Sequence, residues 1–333
     1  MRTPLLFGAI SALTLAEIAS AEVPSVAVDI APVHSLVATV MGDLGTPNLI
    51  VRSGASPHGY SLRPSEANAL QSADIVFWVS EGLTPWFEGS IEALAKDAKT
   101  VELLETAGTT ELAFREGGTF NAHDHDDHDE HDGEHDEHDD HDEHDDEHDE
   151  HGDHGEHDEH AHEGHDPHAW LDPENARVWL DVIATDLAAL DPENAETYAA
   201  NAAAGKAELA SLITEIKADL VPFGETNFVV FHDAYQYFEN RFGIAATGAI
   251  SLGDASDPSP ARIAEIRDKV VELGVSCAFS EPQFNAGLIQ AVFQGLPTIT
   301  GVMDPLGSEL ELGPNLYPQL LRNLASNLGA CLK

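Results

Sequence analysis

Basic residues are scarce in this chain: 15 Lys and Arg stand against 60 Asp and Glu among 333 residues, for a formal charge of -45. That balance excludes a nucleic-acid surface, because polyanion binding needs clustered cations. Long apolar runs are lacking too, and none reaches the roughly 20 residues of a membrane-spanning helix. Neither an HExxH helix nor a GxSxG elbow occurs, so the familiar sequence signs of a metallo- or serine hydrolase are missing. Cysteine is limited to Cys277 and Cys331. What is present is enough Val, Ile, Leu and Phe for two globular cores, and a charge that is unevenly placed. Residues 123–165 alone hold 15 His and 23 acids with no Lys or Arg.

The N-terminal segment carries Arg2, a mostly apolar stretch from Leu5 to Leu15, and then Ala19-Ser20-Ala21 in the small-x-small pattern of a signal-peptidase site. Residues 1–21 read as a cleavable secretory signal, with a mature start near Glu22. About eleven apolar residues are too few to span a bilayer, and no Cys adjoins the cleavage site to take a lipid. A soluble exported protein is expected. In an oxidising compartment Cys277 and Cys331 are expected to pair and staple the C-terminal tail, a bond worth about 4 kcal/mol in the chain-entropy model. Two buried free thiols are the alternative.

Apolar, β-rich runs recur as VAVDI (26–30), NLIVRS (48–53), DIVFWVS (74–80) and TVELL (100–104), with helical spacing between them. A second series follows at NFVVFH (227–232), IAATGAI (244–250), CAFSEP (277–282) and TITGVMDP (298–305), interleaved with helix-patterned segments 259–273 and 284–293. The pattern is α/β: two lobes with mainly parallel sheets. Between them Tyr198, Ala202, Leu209, Leu212, Ile213, Ile216 and Leu220 recur at three- and four-residue steps from the Asp191-Pro192 start to Pro222. This predicts a helix long enough to be a spine between lobes. The expected organisation is an N-terminal lobe over 22–190, a connecting spine over 191–222 and a C-terminal lobe over 223–333. The run 123–165 has no apolar periodicity and interrupts the first lobe as a loop that cannot offset its own ordering entropy.

Four good metal ligands outside that run stand at the end of a β-like run or in the loop after one: His58, His168, His232 and Asp304. Open α/β sheets bind ligands outside the carboxyl ends of their strands, so these groups from both lobes are placed to converge on one cleft. Taken singly, each histidine reads more readily as a hydrogen-bonded loop residue; the joint placement points to metal. Asp233 and Glu281 adjoin the set in sequence and are candidates to accept the second N–H of a ligand imidazole. Ordinary loop acids are the plainer alternative. His34 reads as a bystander.

The motifs ASPHGYSLRPSE (55–66), ADIVFWVSEGLTPW (73–86), DPHAWLDPENA (166–176), FHDAYQYFE (231–239), FSEPQF (279–284) and MDPLG (303–307) resemble those of the zinc-specific periplasmic solute-binding proteins of bacterial ABC transporters, the ZnuA type within the cluster A-I metal-binding family. The resemblance covers nearly all of the chain beyond residue 21. It implies two α/β lobes joined by one long rigid helix, with the metal in the interlobe cleft. By motif, His58, His168 and His232 match three imidazole ligands, and Asp304 matches the carboxylate that completes the site in many relatives. Some zinc members carry a Glu just before the first His, where this chain has Pro57. That departure leaves Asp304 or a water as the fourth ligand. Relatives that carry manganese have Glu at the place of His232, and imidazole suits zinc better than manganese.

Three imidazoles and one carboxylate fill a tetrahedral zinc site from the protein alone, which argues for a receptor and against an enzyme, since a hydrolase keeps one position open. The expected function is capture of Zn2+ in the periplasm and delivery to an inner-membrane ABC permease by a monomer, with a periplasmic zinc chaperone as a further possible partner. A manganese or iron receptor of the same fold and a secreted zinc hydrolase are the alternatives. The run itself offers His123, His125, His128, His131, His135, His138, His141, His144, His148, His151, His154, His157, His160, His162 and His165 beside carboxylates. It reads as a set of weak, exchangeable zinc sites, with a role-free linker or a metal sensor as the other readings.

Overall fold

Short parallel strands organise the molecule, and helices between successive strands return the chain to start the next one in parallel. The structure is a computed structural model and describes residues 23–115, 164–224, 226–251, 259–284, 287 and 292–333. The expected signal segment 1–21 and the run histidines from His123 to His162 lie outside the described residues. So does part of the helix-patterned segment 284–293.

The chain divides into two compact units, and both are discontinuous in sequence. One comprises Met1–Thr109, Asp172–Glu215 and Leu306–Arg322; the other comprises Thr110–Leu171, Ile216–Pro305 and Asn323–Lys333. The expectation of continuous lobes meeting around 191–222 does not foresee this exchange of segments. Its reason is non-local packing: chain far downstream returns to a core begun upstream.

In the first unit β1 (Val26–Val28), β2 (Asn48–Leu49), β3 (Ile75–Trp78) and β4 (Lys99–Glu102) form a parallel sheet in the order β2-β1-β3-β4. Helix α1 (Ala31–Met41) opens with Pro32 in its first turn and closes on Gly42 at φ 54°, where a side chain would be strained. Helices α2 (Pro64–Gln71) and α3 (Phe87–Leu94) cover the sheet, and Ala27, Ile50, Leu70, Val76, Phe87 and Ile91 fill the core between them. Helix α4 (Pro173–Leu190) is started by Asp172, whose carboxylate accepts the Glu174 N–H at 2.8 Å, and by Pro173 in the first turn. The long periodic segment forms α5 (Ala195–Leu220), flanked by single 3-10 turns at Pro192–Asn194 and Val221–Phe223. Gly205 lets α5 approach closely, since an added Cβ would lie 3.0 Å from Thr39 and 3.1 Å from Leu180.

The second unit repeats the topology. Strands β5 (Phe228–His232), β6 (Gly248–Ser251), β7 (Cys277–Ser280) and β8 (Ile299–Val302) pair in parallel in the order β6-β5-β7-β8. Helices α6 (Gln236–Phe242) and α7 (Pro260–Glu272) follow β5 and β6, and Val229, Phe231, Ile250, Ile266, Val270 and Phe293 are buried together. Helix α8 (Leu316–Cys331) ends at the disulfide that the sequence reading expects, Cys331 to Cys277 in β7. Among the described residues no helix is long and apolar enough to cross a membrane.

Each sheet has the same switch point. The strand order reverses between the first and third strands of the unit, and there the crossover connections diverge and leave a crevice at the carboxyl ends. In the first unit that place is the end of β1 and β3; in the second it is the end of β5 and β7.

Candidate metal centre

The crevice of the second unit is occupied by His232, the last residue of β5, and Glu281, the first residue after β7. Both are buried. The imidazole Nδ1 of His232 lies 2.6 Å from Glu281 Oε1, a charge-assisted distance that fixes the proton on Nδ1 and leaves Nε2 as a lone-pair donor.

His168 arrives from the other side of the same unit, in the tight turn that precedes Ala169–Leu171. Its ring is prepared in the same way: Nδ1 lies 2.7 Å from Asp166 Oδ1, and the same oxygen accepts the His168 backbone N–H at 2.9 Å. Burial pushes the Asp166 carboxyl above the ordinary carboxylate range, against the pull of His168. The Trp170 indole donates to Pro305 O at 2.8 Å, which ties this turn to the segment that carries Asp304.

With both Nδ1 atoms on carboxylates, the two Nε2 atoms face one another at 3.4 Å, in rings whose centroids are 5.2 Å apart. Two lone pairs at that distance in a buried place repel unless a proton or a cation lies between them. Zinc bonded to imidazole at about 2.0–2.1 Å with tetrahedral angles sets neighbouring nitrogens about 3.3–3.4 Å apart. The pair therefore has the spacing of one edge of a zinc tetrahedron.

Asp304, just beyond β8, accepts from Gln283 Nε2 at 3.0 Å. Tyr235, at the loop after His232, is fully buried and donates to Met303 O at 3.2 Å; burial, then the charges of Glu281 and Asp304, push its hydroxyl well above the phenol range. Asp304 thus belongs to the same electrostatic neighbourhood as Glu281.

His58 belongs to the first unit, half-buried in the loop after β2. That loop is held at both flanks: the Trp86 indole donates to Pro57 O at 2.7 Å, while Glu66 accepts the Tyr60 hydroxyl and the Arg63 N–H, each at 2.7 Å. Ring contact between Tyr60 and Trp86 at 5.6 Å closes the arrangement.

Of the two acids that adjoin these ligands in sequence, Glu281 receives an imidazole and Asp233 does not. Asp233 is instead clamped by Arg115, whose guanidinium also reaches Glu239 Oε2 at 2.7 Å. The nearest strong cation takes the more exposed acid, and the buried one is left to the ring. Asp166 is the site residue that the sequence reading overlooks. Its signal was the Asp-x-His spacing, in which a carboxylate two residues upstream folds back on the backbone N–H and on the ring. His34 is buried in α1, away from any such partner: its Nδ1 has no hydrogen bond, and burial lowers its basicity.

A family model described as zinc-uptake complex component A, periplasmic (ZnuA), matches residues 26–331. The high-affinity zinc uptake system protein ZnuA of Brucella abortus (strain 2308) is 50% identical over 307 residues, which cover 92% of this chain and 91% of that protein. Its counterpart in Paracoccus denitrificans (strain Pd 1222) is 49% identical over 315 residues, covering 94% and 93%. Among solved structures, one described as a crystal structure of ZnuA matches 93% of this chain and 99% of its own with a TM-score of 0.72 at 22% identity, a likeness of fold.

Proposed function

This chain belongs to the ZnuA family of zinc-uptake proteins, and from that premise we propose that it binds Zn2+ in the periplasm as the receptor of an ABC transporter and delivers the ion to the membrane permease. The observation that carries the proposal is the buried His168–His232 pair, two imidazoles with their Nδ1 atoms held by carboxylates and their Nε2 atoms 3.4 Å apart. Such a pair is two ligands of a tetrahedral ion, already stripped of the wrong tautomers. By the motifs ASPHGYSLRPSE and MDPLG, we take His58 as the third imidazole and Asp304 as the carboxylate. With four protein groups on the ion there is no open position for a reacting water, so the site stores and releases rather than catalyses. An imidazole-rich set favours zinc over manganese. The His-rich run adds weak, exchangeable zinc sites, and residues 1–21 direct export.

Competition against a calibrated chelator tests this on the mature full chain. One zinc per chain is expected to resist the chelator, with manganese displaced by equimolar zinc. Retention of manganese over zinc, or no chelator-resistant ion, would overturn the reading.

The carboxylates make a separate prediction. In Glu281→Gln the amide oxygen can still accept the His232 Nδ1–H, but the charge that strengthens that bond is gone. Loss of such a partner typically lowers metal affinity about 10- to 100-fold, and the same chelator assay should show it. An affinity equal to that of the unaltered protein would remove Glu281 from the site.

A further inference from the structure

The described chain on either side of the His-rich run ends with Glu111–Arg115 and begins again with Gly164–Asp166. These two ends are fastened together. Ala113 and His165 form an antiparallel bridge, Glu111 Oε2 lies 3.0 Å from His165 Nδ1, and the Asp166 N–H donates to Leu112 O at 2.7 Å. One side chain closes the neck from inside: the buried Tyr237 hydroxyl accepts the Leu112 N–H at 2.9 Å and donates to Asp166 O at 2.9 Å. Its only proton and a lone pair are thus both spent on backbone.

From this geometry we infer that Tyr237 is a positioning residue for zinc capture, acting through Asp166 on His168. The Asp166 backbone is held on both sides, its N–H by Leu112 and its C=O by Tyr237. With the backbone fixed, the carboxylate can move only by side-chain rotation, which would break its bonds to the His168 N–H and Nδ1, and that carboxylate sets the tautomer of His168. Tyr237 lies in the first turn of α6, four residues beyond Asp233 and five beyond His232, the last residue of β5. The neck and the two imidazoles therefore share one support. Two neighbours reinforce it. Arg115, at the outgoing end of the neck, grips Asp233 and Glu239 on either side of that turn. The Gln236 amide, turned so that its nitrogen meets acceptors, donates to Ala113 O at 3.1 Å and Asp166 Oδ2 at 3.0 Å. The anchor of the acidic run is in this way part of the tight site, although none of these three side chains touches the ion.

The inference rests on the reading of His168 and His232 as zinc ligands, and the test separates the two. Tyr237→Phe keeps the ring and deletes the hydroxyl in the full chain. Two quantities are read: zinc affinity by chelator competition, and the ring tautomers of His168 and His232 in the metal-free protein by long-range proton–nitrogen NMR. Expected are an affinity about 10- to 100-fold lower, a His168 ring that mixes Nδ1–H and Nε2–H forms, and a His232 ring that stays Nδ1–H. Reduced affinity with an unchanged His168 tautomer would overturn the positioning role, as would unchanged affinity. If His168→Ala itself kept the tight zinc, the ligand reading would fall, independently of the tautomer result. Should Tyr237→Phe not fold, Gln236→Leu removes the neighbouring amide and is expected to move both readouts in the same direction, with no movement in either counting against the inference.

Discussion

Replacing His232 by Ala is expected to weaken zinc binding at the tight site by about 10²- to 10³-fold. Structural zinc sites with four protein ligands bind with about 10–16 kcal/mol, so one ligand accounts for about 3–4 kcal/mol when water takes its place, and each 1.4 kcal/mol is tenfold. The loss extends beyond the metal bond. Glu281 is 3% exposed and would lose the Nδ1–H that it accepts at 2.6 Å, leaving a buried carboxylate poorly satisfied. The metal-free variant should therefore also unfold more easily than the unaltered protein, by about 1–3 kcal/mol. His168→Ala should behave alike through Asp166. On the proposed reading the two rings form one edge of a single tetrahedral site, so the double variant should lose less affinity than the sum of the single losses. Chelator competition on the three variants, with circular dichroism to show that each is folded, checks the set. Additive losses would mean that the imidazoles bind separate ions; an unaltered affinity in either single variant would remove that residue.

The place of His232 was legible in the sequence because strands show themselves. NFVVFH is a run of apolar residues that ends on a histidine, and a parallel sheet puts the end of such a run at the ligand-binding edge. The periodicity of Tyr198 to Leu220 likewise gave α5 to within a turn at either end. Carboxylate partners were harder to read. Glu281 is 49 residues from the ring it serves, and only adjacency to β7 hinted at it. Asp233, which is adjacent to His232, was the more obvious candidate, yet it belongs to Arg115, 118 residues away. No local pattern announces a pairing of that span, because it is set by which elements the finished fold packs together. The discontinuous units escaped for the same reason: the segment Leu306–Arg322 joins the first unit through contacts such as the Tyr317 N–H on Ser35 Oγ at 3.0 Å, across 282 residues.

Asp29 gives the remaining large effect, one of stability. It occupies the switch point of the first sheet, where the second sheet has its histidine and glutamate, and it plugs that crevice with hydrogen bonds: Oδ1 accepts the Ile30 N–H at 2.7 Å and Oδ2 the Val79 N–H at 2.8 Å. The carboxyl is fully buried with only backbone amides as hydrogen-bond partners, and burial raises its pKa to about 7. In the unfolded chain the same group ionises near 3.8. Between those values the folded protein holds a proton that the unfolded chain has released, so stability falls as pH rises. The contribution is complete below pH 3.8 and is lost by about pH 7, a span of roughly three pKa values at 1.36 kcal/mol each, or about 4 kcal/mol. Asp29→Asn cannot ionise and keeps one oxygen for a backbone N–H. Relative to that variant, the metal-free unaltered protein should lose about 2–3 kcal/mol of unfolding free energy between pH 5 and pH 8. Subtracting the variant's denaturation curve at each pH cancels the other titrating groups, which the two proteins share. A difference that stays constant over that interval would mean that Asp29 is already ionised in the fold at pH 5, and that the backbone amides of Ile30 and Val79 suffice to hold its charge.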